Sequence, residues 1–389
     1  MLAIQLAFKN LMGAGLRTWL NVAVLSFAFV VIVFYNGMLD GWNMQAIRDT
    51  KAWEIGSGQF WHGGYDRYDP FTIQDSHGPI KGKIREMVER GELAPVLITQ
   101  ATAYPRGRMV NIMLKGMAED QHILALPTEL FASNGSDIPA LIGKRMAQSI
   151  KIKKGDNLLI RWRDKNGTFD AREVTIAGVF DSNVPTVDNG QVWIPLDKLQ
   201  EMTGMKDEAT LFVSRIPLGY ESLEGWLYKD EDYLLKEFNE IMQQKKGSSA
   251  IIYVLLLAIA LLAIFDTQVL SIFRRQKEIG TYIALGMTRA QVVRIFTVEG
   301  SAHSLLALLL GSLYGVPFLA FLHKNGIPMP KSADDAGISI SESIMPLYSL
   351  GMVISTILLV VISATIVSYF PARRISKMKP TDALKGKIQ

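Results

Sequence analysis

The chain alternates between long apolar runs and mixed segments, and the runs set its plan. Residues 19–39 are almost free of charge, and about 20 such residues are enough to cross a bilayer core. Three more runs follow at 249–273, 298–322 and 347–370. The second run is broken by Asp266 and Gln268, and the third by His303 and Pro317. Residues 1–18 differ. Ile4, Ala7, Phe8 and Leu11 recur at helical spacing opposite Gln5, Lys9 and Asn10. That pattern predicts an amphipathic helix at the membrane surface. A cleavable signal peptide competes for the first run, but its apolar region would be too long, and no small-x-small cleavage site follows.

Between the first and second runs the character changes. Residues 40–248 are rich in Trp, Gly, Asp, Pro and Tyr, and hold no run of spanning length. About 200 residues are enough for a separate core. The pattern predicts helices at 80–91, 140–150 and 196–203, and a mostly helical stretch at 221–246. It predicts strands at 95–103, 110–115, 191–194 and 211–215. Residues 158–163 and 173–180 alternate as strands, and Asp164-Lys-Asn-Gly167 between them is a hairpin signal. Residues 42–79 are aromatic and glycine-rich and give no clear assignment. The fold class expected is therefore membrane α-helical, with four transmembrane helices and an inserted α+β domain.

The distribution of charge orients this plan. Short basic segments favour the cytoplasmic side. Lys9 and Arg17 precede the first span. Arg274, Arg275, Lys277, Arg289 and Arg294 follow the second, and Arg373, Arg374, Lys377, Lys379, Lys385 and Lys387 follow the fourth. Lys324 and Lys331, between the third and fourth spans, are balanced by Asp334, Asp335 and Glu342. With four spans, all three basic segments fall on one side. Both termini are then cytoplasmic. The resulting order is amphipathic helix 1–18, span 19–39, extracytoplasmic domain 40–248, span 249–273, cytoplasmic loop 274–297, span 298–322, short extracytoplasmic loop 323–346, span 347–370 and tail 371–389.

Composition excludes several classes. A net charge of +4, from 41 basic and 37 acidic residues, is too small to suggest nucleic acid. No cysteine means no disulfide framework or thiol chemistry. His62, His77, His122, His303 and His323 are scattered, without metal-ligand spacing. There is no G-x-x-x-x-G-K-[ST] phosphate loop, G-x-S-x-G elbow or H-E-x-x-H pair. The chain is expected to be non-catalytic, to hold no metal or cofactor, and to leave ATP to another chain.

The loop after the second run is more than a topology anchor. Glu278-Ile279-Gly280, Ala284-Leu285-Gly286 and Thr288 predict a short helix, a turn and a new helix. Gly286 suits a left-handed helix end, and Thr288 with Gln291 fits a capping box. Apolar Ile279, Ile283, Leu285 and Met287 outside the membrane suggest a surface that docks on a partner. Asp266 has two readings: an ionisable group inside a span that serves function, or a residue near the interface bonded to a neighbouring helix. His303 is open in the same way.

The stretch RRQKEIGTYIALGMTRAQVVRIFTVEG resembles the loop of FtsX-like, MacB-type ABC transporter permeases, R-x-x-E-I-x-x-x-x-A-L-G-A-x-x-x-x-I. Tyr369-Phe-Pro371-Ala372-Arg373-Arg374, with Lys379-Pro380 and Ala383-Leu384, resembles that family's C-terminal signature, Y-P-A-x-x-A-x-x-x-x-P-x-x-A-L-R. Here Phe370 is inserted, Met287 stands where Ala is usual, and Lys385 replaces Arg. Leu114-Lys115-Gly116-Met117, Gly178-Val179-Phe180 and Val192-Trp-Ile194-Pro195-Leu196 are similar to the lipoprotein-releasing LolC/LolE group. In that family the extracytoplasmic domain has two lobes, here 40–130 with 210–248, and 131–209.

The resemblance implies a permease subunit in the bacterial inner membrane, paired with a second permease and two copies of a separate ABC ATPase. Arg275, Glu278, Ile279, Ile283, Leu285, Gly286 and Met287 would form the coupling helix that docks on the ATPase, with Glu278 meeting its basic groups. In lipoprotein-releasing members acyl chains lie between the first two spans, which implies contacts with membrane lipid, a lipoprotein substrate and a periplasmic carrier. The alternatives are an exporter subunit for drugs or peptides, and an FtsX-type regulator of a cell-wall hydrolase. The size of the domain argues against the last.

Overall fold

The structure is a computed structural model, described for residues 15–132, 137–219, 222–328 and 343–374. The surface helix expected at the N-terminus falls mostly outside these residues, as do Lys379-Pro380 and Ala383-Leu384. The chain divides into two compact units, one built from residues up to Trp42, Met242–Ile327 and from Ile344 onward, the other from Asn43–Ile241 with Pro328–Ser343.

The first unit is helical. Its long helices are α1 (Gly15–Thr50), α2 (Lys236–Arg274), α4 (Arg289–Asn325) and α5 (Leu350–Arg373), with the short α3 (Gln276–Ala284) between α2 and α4. All four long helices are apolar and long enough to cross a membrane. α1 and α2 both run well past their apolar stretches. Hydropathy marks where the apolar stretch stops, and the Met, Gln, Glu and Lys residues beyond it are themselves good helix formers.

Val22, Leu25, Phe29 and Val33 of α1 pack with Leu257, Ala260 and Ile264 of α2, Ala307 of α4, and Val360 and Ala364 of α5. α1 is the most enclosed: 56% of its apolar window is buried, against 22%, 17% and 17% for the others. Helices inside lipid gain little from apolar contact alone, so close approach and polar bonds hold them together. Asn21 Nδ2 donates to the Ala263 carbonyl at 3.1 Å and to Thr267 Oγ1. Tyr253 Oη donates to Asn36 Oδ1 at 3.1 Å. Gly315 lets α4 approach Val30, whose Cγ2 would lie 2.7 Å from an added Cβ. The Gly37 carbonyl accepts from the Leu347 amide at 2.8 Å.

The second unit is α+β. Its strands are β1 (Gln59–His62), β2 (Gly78–Pro79), β3 (Leu93–Ala103), β4 (Val110–Met117), β5 (Pro139–Gly143), β6 (Asn157–Arg163), β7 (Phe169–Phe180), β8 (Gln191–Pro195), β9 (Glu208–Ala209), β10 (Leu211–Ser214), β11 (Ser222–Leu223) and β12 (Trp226–Lys229). Ten of them form one sheet in the order β11-β12-β1-β10-β3-β4-β8-β5-β7-β6, and β6 also pairs with β3. That last pairing, Ala101 opposite Trp162, closes six strands into a barrel. Leu97, Leu114, Ile142, Ile160, Trp162, Val174 and Ile194 belong to the cluster that fills it. Trp162 Nε1 donates to the Met202 carbonyl at 2.8 Å, which satisfies its buried N–H.

Two predicted elements are corrected. The helix expected over 140–150 is strand β5 followed by a helix over Lys144–Ile150. β5 is buried throughout and pairs with β7 and β8; a short apolar run has no periodicity to separate buried strand from helix. The helical stretch expected over 221–246 begins as the hairpin β11–β12. Its turn is Glu224-Gly225, with φ of +51° and +90°, the left-handed pair that a tight hairpin requires. The Asp164–Gly167 hairpin forms as expected, with Asp164 Oδ1 accepting from the Asn166 and Thr168 amides at 2.9 and 2.7 Å.

Candidate functional site

The site is built at the junction of α2, α3, α4 and the end of α5. α2 ends at Arg274, and Arg275 stands between it and α3. α3 then ends in a Schellman motif. The Gly286 amide donates to the Ile283 carbonyl at 3.1 Å and the Met287 amide to the Tyr282 carbonyl at 3.0 Å, the two bonds that define that ending. Gly286 has φ +97°, with nothing within 4 Å of where a Cβ would stand. Glycine is therefore needed here for its backbone and not for space. Thr288 starts α4 with a complete capping box: its Oγ1 accepts from the Gln291 amide at 3.3 Å, and Gln291 Oε1 accepts from the Thr288 amide at 2.8 Å.

A small core holds this turn in place. Ile279 is fully buried with Ile272, Val292, Val293, Phe296 and Ala372, and Tyr282, Ile283 and Met287 pack on its edge. Arg275 ties the charged side together. Its Nε donates to Glu278 Oε2 at 2.7 Å, and its Nη1 to both oxygens of Glu299 at 3.1 and 2.9 Å. The guanidinium also lies 4.9 Å from the Phe296 ring centroid. The Glu299 side chain is 9% exposed and that of Arg275 18%, so the pair is largely withdrawn from solvent.

The residues singled out from sequence therefore divide. Ile279 faces the chain's own core, Ile283 and Met287 are half-buried, and Leu285 is 79% exposed beside exposed Gly286. Glu278 is exposed but already bonded to Arg275. In the C-terminal motif Pro371 and Ala372 are buried, while Tyr369 and Arg373 are exposed. Asp266 is exposed on α2 and has no ion-pair partner among the described residues. His303 is buried on α4, its ring Nδ1 within hydrogen-bond distance of the Glu299 carbonyl at 3.1 Å.

Sequence reasoning missed Glu299, Gly300 and Ser368, and marked Gln268 only as a polar break in its apolar run. Gln268 and Ser368 are buried, and an added Cβ on Gly300 would lie 2.2 Å from Ser368 Oγ and 3.2 Å from Gln268 Cδ. One signal was available: an acid at the start of an apolar run, needing a cation nearby.

Residues 250–380 match the family described as FtsX-like permease C-terminal. Over 342 residues the chain is 21% identical to the lipoprotein-releasing system transmembrane protein LolC of Neisseria meningitidis, covering 75% of this chain and 77% of that protein. It is 20% identical over 271 residues to LolC of Xylella fastidiosa, covering 63% and 64%. It is 29% identical over 170 residues to an uncharacterized ABC transporter permease of Methanocaldococcus jannaschii, covering 41% and 39%. The match and the apolar helices support a multi-pass membrane protein with a permease-like C-terminal region, and that family implies an ATPase partner in an ABC system. Residues 250–380 are thus FtsX-like in sequence, and over most of its length the chain is similar to the LolC group.

Proposed function

We propose that this permease releases lipoproteins from the bacterial inner membrane to a periplasmic carrier, driven by two copies of a separate ATPase and paired with a second permease subunit. The LolC relatives support the substrate, and the lysine and arginine distribution supports cytoplasmic termini. ATP is bound by the partner and not by this chain.

The observation that carries the mechanism is the build of the α3 turn. A small core and a buried ion pair fix it, and Leu285 and Gly286 stand exposed at its tip. A rigid turn with an exposed apolar tip can transmit a push from a docked protein, whereas a flexible loop would absorb it. Leu285 enters a groove on the ATPase, flanked by Ile283, Met287 and Glu278. Closure of the ATPases then moves α2 and α4 together, because Arg275 and Glu299 couple them.

Depletion of the protein tests the substrate. Lipoproteins destined for the outer membrane are expected to accumulate in the inner membrane. Unchanged lipoprotein localisation, with altered export of a drug or peptide, would favour the exporter reading instead.

A further inference from the structure

The second unit places a lysine where its sheet is otherwise apolar. Met113, Lys115 and Met117 alternate onto one face of β4. Around them lies the cluster that contains Val96, Ile98, Met117, Trp193, Leu211 and Val213. Lys115 is the register partner of Trp193 on β8, and its Nζ lies 4.9 Å from the centroid of the Trp193 ring. A cavity of about 40 Å³ sits here, lined by Lys115 and Trp193 together with Trp61, Tyr65, Glu54 and Arg67.

The charges that line the cavity do not balance. Glu54 is taken: its Oε1 is 3.3 Å from Arg67 Nη2, and its Oε2 accepts from Thr186 Oγ1 at 3.0 Å. Lys115 has no ion-pair partner among the described residues. A second donor is also unmatched. The indole Nε1 of Trp193 is buried without a hydrogen-bond partner, and Trp193 is only 3% exposed. The neighbouring Trp61 differs, since its Nε1 donates to Gln59 Oε1 at 2.7 Å. An unmatched buried donor is costly, and so is a half-buried cation with no ion-pair partner. One negatively charged acceptor in the cavity would satisfy the two at once.

We propose that this cavity binds a small monovalent anion, a halide or a carboxylate-sized ion, held by the Lys115 ammonium with the Trp193 indole N–H as second donor. The volume sets the class. About one probe sphere, roughly 10–15 Å³, is enough for a water, so the space admits a small ion and excludes a bulky polyvalent one. The aromatic walls suit a weakly hydrated monovalent ion. Burial pushes Lys115 down from 10.5 to about 8, opposed by the Glu54 charge and assisted by Arg67. Lys115 therefore still carries its charge at neutral pH and loses it not far above. Glu54 and Arg67 are the other charged groups that line the cavity, and burial pushes the Tyr65 phenol up to about 12. Anion binding should accordingly weaken as pH rises through Lys115's range.

The test is bromide quenching of tryptophan fluorescence, on the full chain in detergent, with sulfate as the balancing anion at constant ionic strength. The expected result is a saturable component above the linear collisional quenching. It should be lost in Lys115→Met, weakened at least tenfold in Trp193→Phe, and kept in Lys153→Met. Acetate should compete it away. In the native chain it should fall at least tenfold between pH 7 and pH 10, an arm that holds even if Lys115→Met fails to fold. Purely linear quenching, a saturable component unchanged by Lys115→Met, or one unchanged between pH 7 and pH 10 would overturn the proposal.

Discussion

Arg275 and Glu299 lie 24 positions apart in sequence, and Nη1 of the first bonds both carboxylate oxygens of the second at 3.1 and 2.9 Å. One residue ends the path from α2 and the other sits a few turns into α4. Their bond closes the α3 turn on its charged side, as Ile279 and Phe296 close it on the apolar side. Removing one partner of a largely buried pair leaves a charge without compensation, at a loss of about 3–5 kcal/mol.

Arg275→Ala and Glu299→Ala should therefore each lower the thermal midpoint of the purified permease, and the double variant should lose much less than the sum. A thermal double-mutant cycle in one detergent checks this. Additive losses would mean that the two side chains act independently.

The contact of Gly300 with Ser368 makes a sharper steric prediction. An added Cβ at Gly300 would stand 2.2 Å from Ser368 Oγ and 2.4 Å from its Cβ, too close for any rotamer to relieve fully. Gly300→Ala should force α4 and α5 apart and destabilise the protein by about 1–3 kcal/mol, the usual range for overpacking. Combining it with Ser368→Gly should restore most of the loss, as read from melting in the same detergent.

Much of this site was legible in the sequence, and the physical reasons differ by residue. Thr288 with Gln291 and Gly286 announce themselves because caps and left-handed turns depend on local chemistry. The four apolar runs are equally local. The partner of Arg275 was hidden, because nothing in a linear pattern pairs residues 275 and 299. The same limit explains Ile279. Its apolar character marked it as part of a surface, but only the packing of α3 on α4 and α5 shows that it faces inward. β5 went unread because five buried residues in a row carry no period. Lys115 gave no warning at all, since a lysine in an alternating strand ordinarily points to water.

Lys115 carries a pH prediction with a definite sign. Its folded value is lowered to about 8 from 10.5. Between those values the unfolded chain holds more protons than the folded one, so the lysine's contribution makes stability rise with pH across that window. Below it both forms are protonated and the full penalty applies. With sulfate as the only anion, Lys115→Met should be more stable than the native chain near pH 7, by about 1–3 kcal/mol. That gap should close as pH approaches 10.5. Chemical denaturation of both proteins across pH 7–10.5 checks it, and a gap that does not change with pH would refute it.

The central claim is that the α3 tip is where the ATPase docks. The chain has no cysteine, so a single introduced thiol reports on one position. The measurement is cross-linking from Leu285→Cys, with Leu313→Cys as the comparison; both leucines are highly exposed, at 79% and 76%, but Leu313 lies within the apolar stretch of α4. The account predicts that Leu285→Cys cross-links to a nucleotide-binding ABC subunit, identified by mass spectrometry, and that Leu313→Cys does not. A permease that transports normally with no cross-link from position 285, or with equal cross-linking from both positions, would contradict it.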